Sequence, residues 1–216
     1  MNAVSNNPAS HLASGDHAEV LTHIYHPDIN IAVLKRKLST PITNYVASLA
    51  EARPQFALRS VINAESATEQ LAQLLPELTH QAAFVEDLSL LAEMYAYLFE
   101  LEEVGLRLAV VHRAMCPRFH IDKLGCRLVT SYHGAGTEWL TNDKVDRAKL
   151  GHGSQGIPDD ASGLYQNEAD IQKAQAGDVL LLKGEGWFEN EGKGIVHRSP
   201  TVAHGEWRLL VTMDFA

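Results

Sequence analysis

The hydrophobic pattern of the chain changes period at Gly105. Before it, Phe84, Leu88, Leu91, Tyr95 and Leu98 recur in steps of four and three, which predicts a helix of about four turns. After it, Leu106, Leu108 and Val110 alternate with Arg107, Ala109 and Val111, the period of a strand. Helices gathered before the switch and strands after it predict an α+β fold.

Other segments fit the same division. Ile29 to Leu34 is a short apolar run that suits an early strand, and Ser39-Thr40-Pro41 marks a helix start with Thr40 as cap. Ile42, Tyr45, Val46 and Leu49 then line one helix face. Leu71, Leu74, Leu75 and Leu78 are also helix-like, with Pro76 as an interruption. Cys126 to Tyr132, Asp178 to Lys183 and Trp207 to Phe215 predict three more strands. Residues 141–176 are polar and glycine-bearing, and predict long loops with a short strand near Ile171. The resulting organisation is a loose tail over 1–20, a mostly helical portion over 21–104 and a β-rich core over 105–216. With 216 residues and about 150 per ordinary domain, 21–216 is read as one unit.

Composition narrows the function. Eighteen basic against 27 acidic residues give a formal charge of -9, which argues against general nucleic-acid or anionic-membrane binding. No apolar run approaches the roughly 18 residues of a membrane span. The first residues lack the basic start and apolar stretch of a secretory signal, so a cytoplasmic protein is expected. The two cysteines, Cys116 and Cys126, make no disulfide scaffold. Monomer and homodimer both fit, since the helical half can cover the core or form a subunit interface.

Chemistry concentrates in CPRFHIDK. His120 and Asp122 are two apart, so on extended backbone both project from one face while Ile121 points away. One further nitrogen ligand completes a two-histidine, one-carboxylate facial triad with open positions. His197 in GIVHRSP is the candidate, and Arg208 follows eleven residues later in an otherwise apolar strand. A guanidinium there needs a partner, either a protein carboxylate or the distal carboxylate of a small diacid gripped through two parallel hydrogen bonds.

This pattern resembles the double-stranded β-helix (jelly-roll, cupin-like) oxygenases that use non-haem Fe(II) and 2-oxoglutarate, and within them the prolyl-hydroxylase-like branch. There, too, HxD is followed by Arg and then by Thr three positions on, as Arg127 and Thr130 follow here, and the last histidine begins HR and reaches a proline, as His197 to Pro200 do. The branch carries tyrosine, leucine and asparagine after the threonine; this chain has Tyr132 and then His-Gly-Ala-Gly. Residues of about 25–215 also resemble a bacterial family known as domain of unknown function 1826, some of whose members stand beside genes of zinc homeostasis, a context that implies a role under metal limitation. The oxygenase resemblance implies a dioxygenase (oxidoreductase) in which His120, Asp122 and His197 hold iron and are the catalytic centre. Arg208, with Thr130, Tyr132 and Arg127 around it, would bind the cofactor. Substrate, a small molecule or a protein, would approach past loops carrying His133, Glu138, Trp139 and His152.

Two rival readings stay open. The barrel can be a non-catalytic metal-binding or interaction protein holding zinc or another divalent ion. Alternatively, Cys116, His120 and Cys126, with His133 or Asp122, can form a closed structural zinc site. Gly184 to Gly194 has the glycines of a phosphate loop but neither its spacing nor the Ser or Thr after Lys193. No GxSxG elbow is present for hydrolase chemistry.

Overall fold

A computed structural model describes residues 5–7 and 11–216 of the chain. Among the described residues, eleven strands form two sheets. The strands are β1 (Ser5–Asn7), β2 (Leu12–Gly15), β3 (Ile31–Leu34), β4 (Ala57–Asn63), β5 (Glu103–Val111), β6 (Cys126–His133), β7 (Glu138–Leu140), β8 (Gln172–Lys173), β9 (Val179–Lys183), β10 (Val196–Arg198) and β11 (Arg208–Phe215). The larger sheet has eight strands in the order β1-β2-β3-β9-β6-β11-β5-β4, and the smaller has three, β10-β7-β8. Helices α1 (Thr40–Ala52), α2 (Ala67–Leu74) and α3 (Gln81–Phe99) complete a mixed α/β architecture.

The alternation on each strand divides the interior in two. Cys126, Leu128 and Tyr132 of β6, Leu106, Leu108 and Val110 of β5, and Leu209, Val211 and Met213 of β11 face the helices, where they pack on Tyr45, Leu49, Phe84 and Leu88. The opposite face carries Ile31, Val33, Val129, Leu180 and Leu182, which pack on Trp139, Ala174 and Ile195 at the smaller sheet. The two sheets face one another without closing into a barrel. Three strands cannot cover eight, and the side of the large sheet around β5 and β4 is left open.

Several expectations need adjusting. The tail expected over 1–20 falls in part on residues 1–4 and 8–10, which lie outside the described residues; Ser5–Asn7 and Leu12–Gly15 are strands, paired antiparallel. The division at 104/105 runs through the large sheet, because β3 and β4 belong to it and β4 pairs along its length with β5. β4 escaped notice because its helix-facing residues are Leu58, Ser60 and Ile62, too mixed for an apolar period. Helix α1 is capped one residue earlier than expected, with Ser39 at the cap and Pro41 in the first turn. Pro76 does end α2, whose cap residue is Leu75. No helix among the described residues is long and apolar enough to cross a membrane.

Candidate metal centre

His120 and His197 meet as an antiparallel bridge. Each donates its backbone N–H to the other's carbonyl oxygen at 3.0 Å, which sets the imidazoles side by side with ring centroids 4.5 Å apart. Asp122, two residues along, completes the group: its carboxylate oxygens lie 3.7 Å from His120 Nε2 and 3.6 Å from His197 Nε2. One potential ligand atom from each residue lies within 4.8 Å of the others, the spacing of donors around one ion, and this is the single such group among the described residues.

The tautomers are fixed by the backbone. Nδ1 of His120 lies 3.0 Å from the Arg118 carbonyl and Nδ1 of His197 lies 3.1 Å from the Ile195 carbonyl. A carbonyl only accepts, so in each neutral ring the proton sits on Nδ1 and the Nε2 lone pair is left for a metal. Burial pushes His197 down to about 4, against the opposing pull of Asp122, so the ring is neutral near pH 7.

The loop carrying His120 and Asp122 is strapped from two sides. Asp159 accepts the Phe119 N–H at 2.8 Å and Arg118 Nε at 3.0 Å. On the other side, Glu185 N–H donates to the Asp122 carbonyl at 2.9 Å and Gly186 N–H to Leu124 at 3.0 Å. The glycines of the 184–194 segment are thus there for close approach. A Cβ on Gly184 would lie 2.7 Å from the Asp122 carbonyl oxygen, and one on Gly194 would lie 2.5 Å from the Ile121 side chain.

The expected cofactor residues separate by strand parity. Arg127 shares the inner face of β6 with Val129. Its Nη1 donates to Asp122 Oδ2 at 2.8 Å, while Nε and Nη2 grip Asp214 at 2.7 and 2.8 Å. It fixes the orientation of the Asp122 carboxylate, and each of its three nitrogens is engaged by a carboxylate. Thr130 and Tyr132 lie on the helix-facing side of that strand, away from the centre. The Tyr132 hydroxyl donates to Asp87 of α3, and its ring meets Phe84 edge to face at 4.8 Å. Neither can touch a ligand bound at the triad through the sheet.

Arg208 is 1 % exposed and reaches the inner face, where Nη2 donates to Ser131 Oγ at 3.0 Å and Nε to the Ala135 carbonyl. Among the described residues no carboxylate forms an ion pair with it, Glu138 acting only through its charge, and Nη1 is buried without a partner. Burial lowers its pKa to about 10. Space for the side chain comes from Gly134, with φ +78°, where a Cβ would sit 2.7 Å from Arg208 Cγ. A bulge opposite Leu209 and Leu210 re-aims the strand at this point.

The residues expected on a substrate-facing loop are dispersed. Glu138 and Trp139 belong to β7: Glu138 accepts from Arg198 Nε at 2.8 Å, and Trp139 is buried between the sheets. His133 stacks on Trp207 at 3.8 Å, and His152 is exposed in a short turn. The closed zinc site fails too, because Cys126 is buried against the helical layer while Cys116 is exposed. A cavity of about 160 Å³ instead opens beside the triad, lined by His120, His197, Arg107, Arg127, Thr137 and Thr212 among others. Of these, Arg107, Thr137 and Thr212 went unread, as did Ser131 and Asp214. Parity could have found Ser131, which follows Arg127 and Val129 on one face.

Fold and site together define a mixed α/β protein in which His120, Asp122 and His197 form a two-histidine, one-carboxylate group able to hold a metal ion. The chain belongs to the family described as Protein of unknown function (DUF1826), whose model matches residues 15–214. No curated protein matches it. Among solved structures it is similar to dioxygenase for auxin oxidation 1 from Arabidopsis thaliana in its binary complex with 2-oxoglutarate, at 10% identity and TM-score 0.51 over 94% of this chain and 91% of that one. It is also similar to a C-terminally truncated protein of Neurospora crassa in apo form, at 12% identity and TM-score 0.51 over 100% and 98% of the two chains. At these identities the likeness is one of fold.

Proposed function

We propose that this protein is a non-haem Fe(II)/2-oxoglutarate-dependent oxygenase built on a double-stranded β-helix. The observation that carries the reading is the convergence of His120, Asp122 and His197, with both Nε2 lone pairs free. Such a donor set leaves open positions on the ion, as oxygen activation requires. Arg208 supplies the second support: a buried guanidinium with an orphaned Nη1 and no ion pair among the described residues is matched by the distal carboxylate of a small diacid.

Iron with 2-oxoglutarate would supply oxygen activation coupled to decarboxylation of the cofactor. The chain's own residues do the positioning. His120, Asp122 and His197 would hold the ion on one side, Arg127 keeps the Asp122 carboxylate turned toward it, and Arg208 would orient the diacid. Thr137, Leu210 and Thr212 line the cavity through which a substrate reaches the centre.

The test is an anaerobic Fe(II) titration of metal-free protein followed by 2-oxoglutarate. A visible charge-transfer band in the wild type, absent in His197→Ala and needing more 2-oxoglutarate in Arg208→Gln, supports the reading. Iron binding without any such band would replace it with metal binding, zinc included, on the same scaffold.

A further inference from the structure

We propose that the substrate handled at this centre is a small acid whose carboxylate or phosphate is received by Arg107, which lines the cavity, together with Arg59 across from it on β4; this rests on the metal-centre reading above. Three arginines line the cavity: Arg107, Arg127 and Arg198. Arg127 is paired with Asp122 and Asp214, and Arg198 with Glu138. The Arg107 side chain has no ion pair or hydrogen bond among the described residues. The acid nearest to it on β11 is Asp214, which stands opposite Gly105; both oxygens of that carboxylate already accept from Arg127.

The residue directly across from Arg107 is another arginine. Arg59 of β4 is its Cα partner, so both side chains project from the same face, and Arg59 is likewise unpaired among the described residues. Like charges directly opposite one another destabilise a strand pair. Asp214 lines the shallow pocket that the two arginines share, but Arg127 takes both its oxygens, and with 27 acidic residues against 18 basic ones a shortage of acids does not explain why neither arginine has an ion pair. A bound anion would neutralise both, and planar guanidinium forks suit carboxylate and phosphate oxygens.

The position fits a substrate group. Arg107 and the two histidines line one cavity, and the small sheet does not extend over β5 and β4. Ala109, Leu210, Thr212 and Met115 line the same cavity as a mostly apolar floor. A molecule held there by its acidic end would turn its carbon skeleton toward the metal. The volume of about 160 Å³ suits a small acid.

The test uses the full chain, metal-free and loaded with Mn(II), titrated with inorganic phosphate and with butyrate. Arginine Nε–Hε resonances are followed by NMR and assigned with R59Q and R107Q. We expect saturable shifts of both arginines and binding about tenfold weaker in R107Q, the loss of one charge-assisted contact. With Mn(II) bound, the anion's phosphorus or carboxyl-carbon signal broadens, and R107Q removes the broadening. A response to phosphate alone or to butyrate alone assigns the group. Equal affinity in wild type, R59Q and R107Q overturns the inference, as does anion binding without broadening in protein shown to hold Mn(II). Failure of the wild type to bind Mn(II), with the arginines still responsive, overturns the metal-centre reading instead. Both side chains are exposed, and unchanged melting temperatures of the variants verify their folding.

Discussion

Arg127 Nη1 donates to Asp122 Oδ2 at 2.8 Å, tying the inner face of β6 to the carboxylate of the metal centre. Its other two nitrogens, Nε and Nη2, are clamped on Asp214, so the guanidinium plane is fixed from behind. The consequence for Arg127→Leu is a loss of about 10–100-fold in metal affinity, the usual effect of removing a residue that orients a ligand. Isothermal titration with Mn(II) or Zn(II) measures it. Because Asp214 would also lose its partner, thermal stability falls in the same variant.

Gly184→Ala disturbs the centre from the other side. The added methyl would press on the Asp122 carbonyl oxygen from 2.7 Å, and backbone rather than a flexible side chain must yield. We expect a stability loss of about 1–3 kcal/mol together with weakened metal binding. Unfolding in urea and a metal titration check the two effects separately.

Tyr132→Phe separates packing from cofactor binding. The hydroxyl donates to Asp87, which also accepts Arg36 Nη1 at 2.6 Å, and burial with the Asp87 charge pushes the phenol pKa up. Removing the hydroxyl lowers stability by about 1–3 kcal/mol while metal and 2-oxoglutarate affinities stay at wild-type values. A variant of normal stability that binds the cofactor poorly would return Tyr132 to the site.

Lys183 gives the folded protein a signature in mild alkali. It is 2 % exposed, donates from Nζ to the His26 carbonyl at 3.1 Å and lies 5.0 Å from the Trp187 ring centre. Burial lowers its pKa from 10.5 to about 8. Between those values the unfolded chain holds a proton that the folded chain has released, so this residue makes stability rise with pH across the window and lowers it below. Lys183→Met should abolish that rise, measured as the difference in unfolding free energy between about pH 7.5 and 10 for the two proteins.

The strands and helices with a long apolar period were legible from the residues alone. Leu106 to Val111, Cys126 to Tyr132 and the Phe84 to Leu98 helix form where their periods place them. The short strand expected near Ile171 is β8, but two others were not legible: β7 and β10 have three residues each, too few to show alternation, and exist because they pair with one another and bring His197 opposite Trp139.

The sequence by itself singled out His120, Asp122 and His197 as one group, because an HxD on extended backbone delivers two donors to one side and the later His-Arg-Ser-Pro resembles the segment that supplies a third. It also determined that Arg208, alone among apolar neighbours, needs a partner. Alternation on β6 divides Arg127, Val129 and Ser131 from Thr130 and Tyr132, but periodicity does not say which set meets the helices. Only the tertiary structure decided that, by packing Tyr132 on Phe84 and Asp87. It also closed Arg127 onto Asp214, 87 residues away, and set Arg59 beside Arg107, because charge pairing across strands depends on register, which no local pattern encodes.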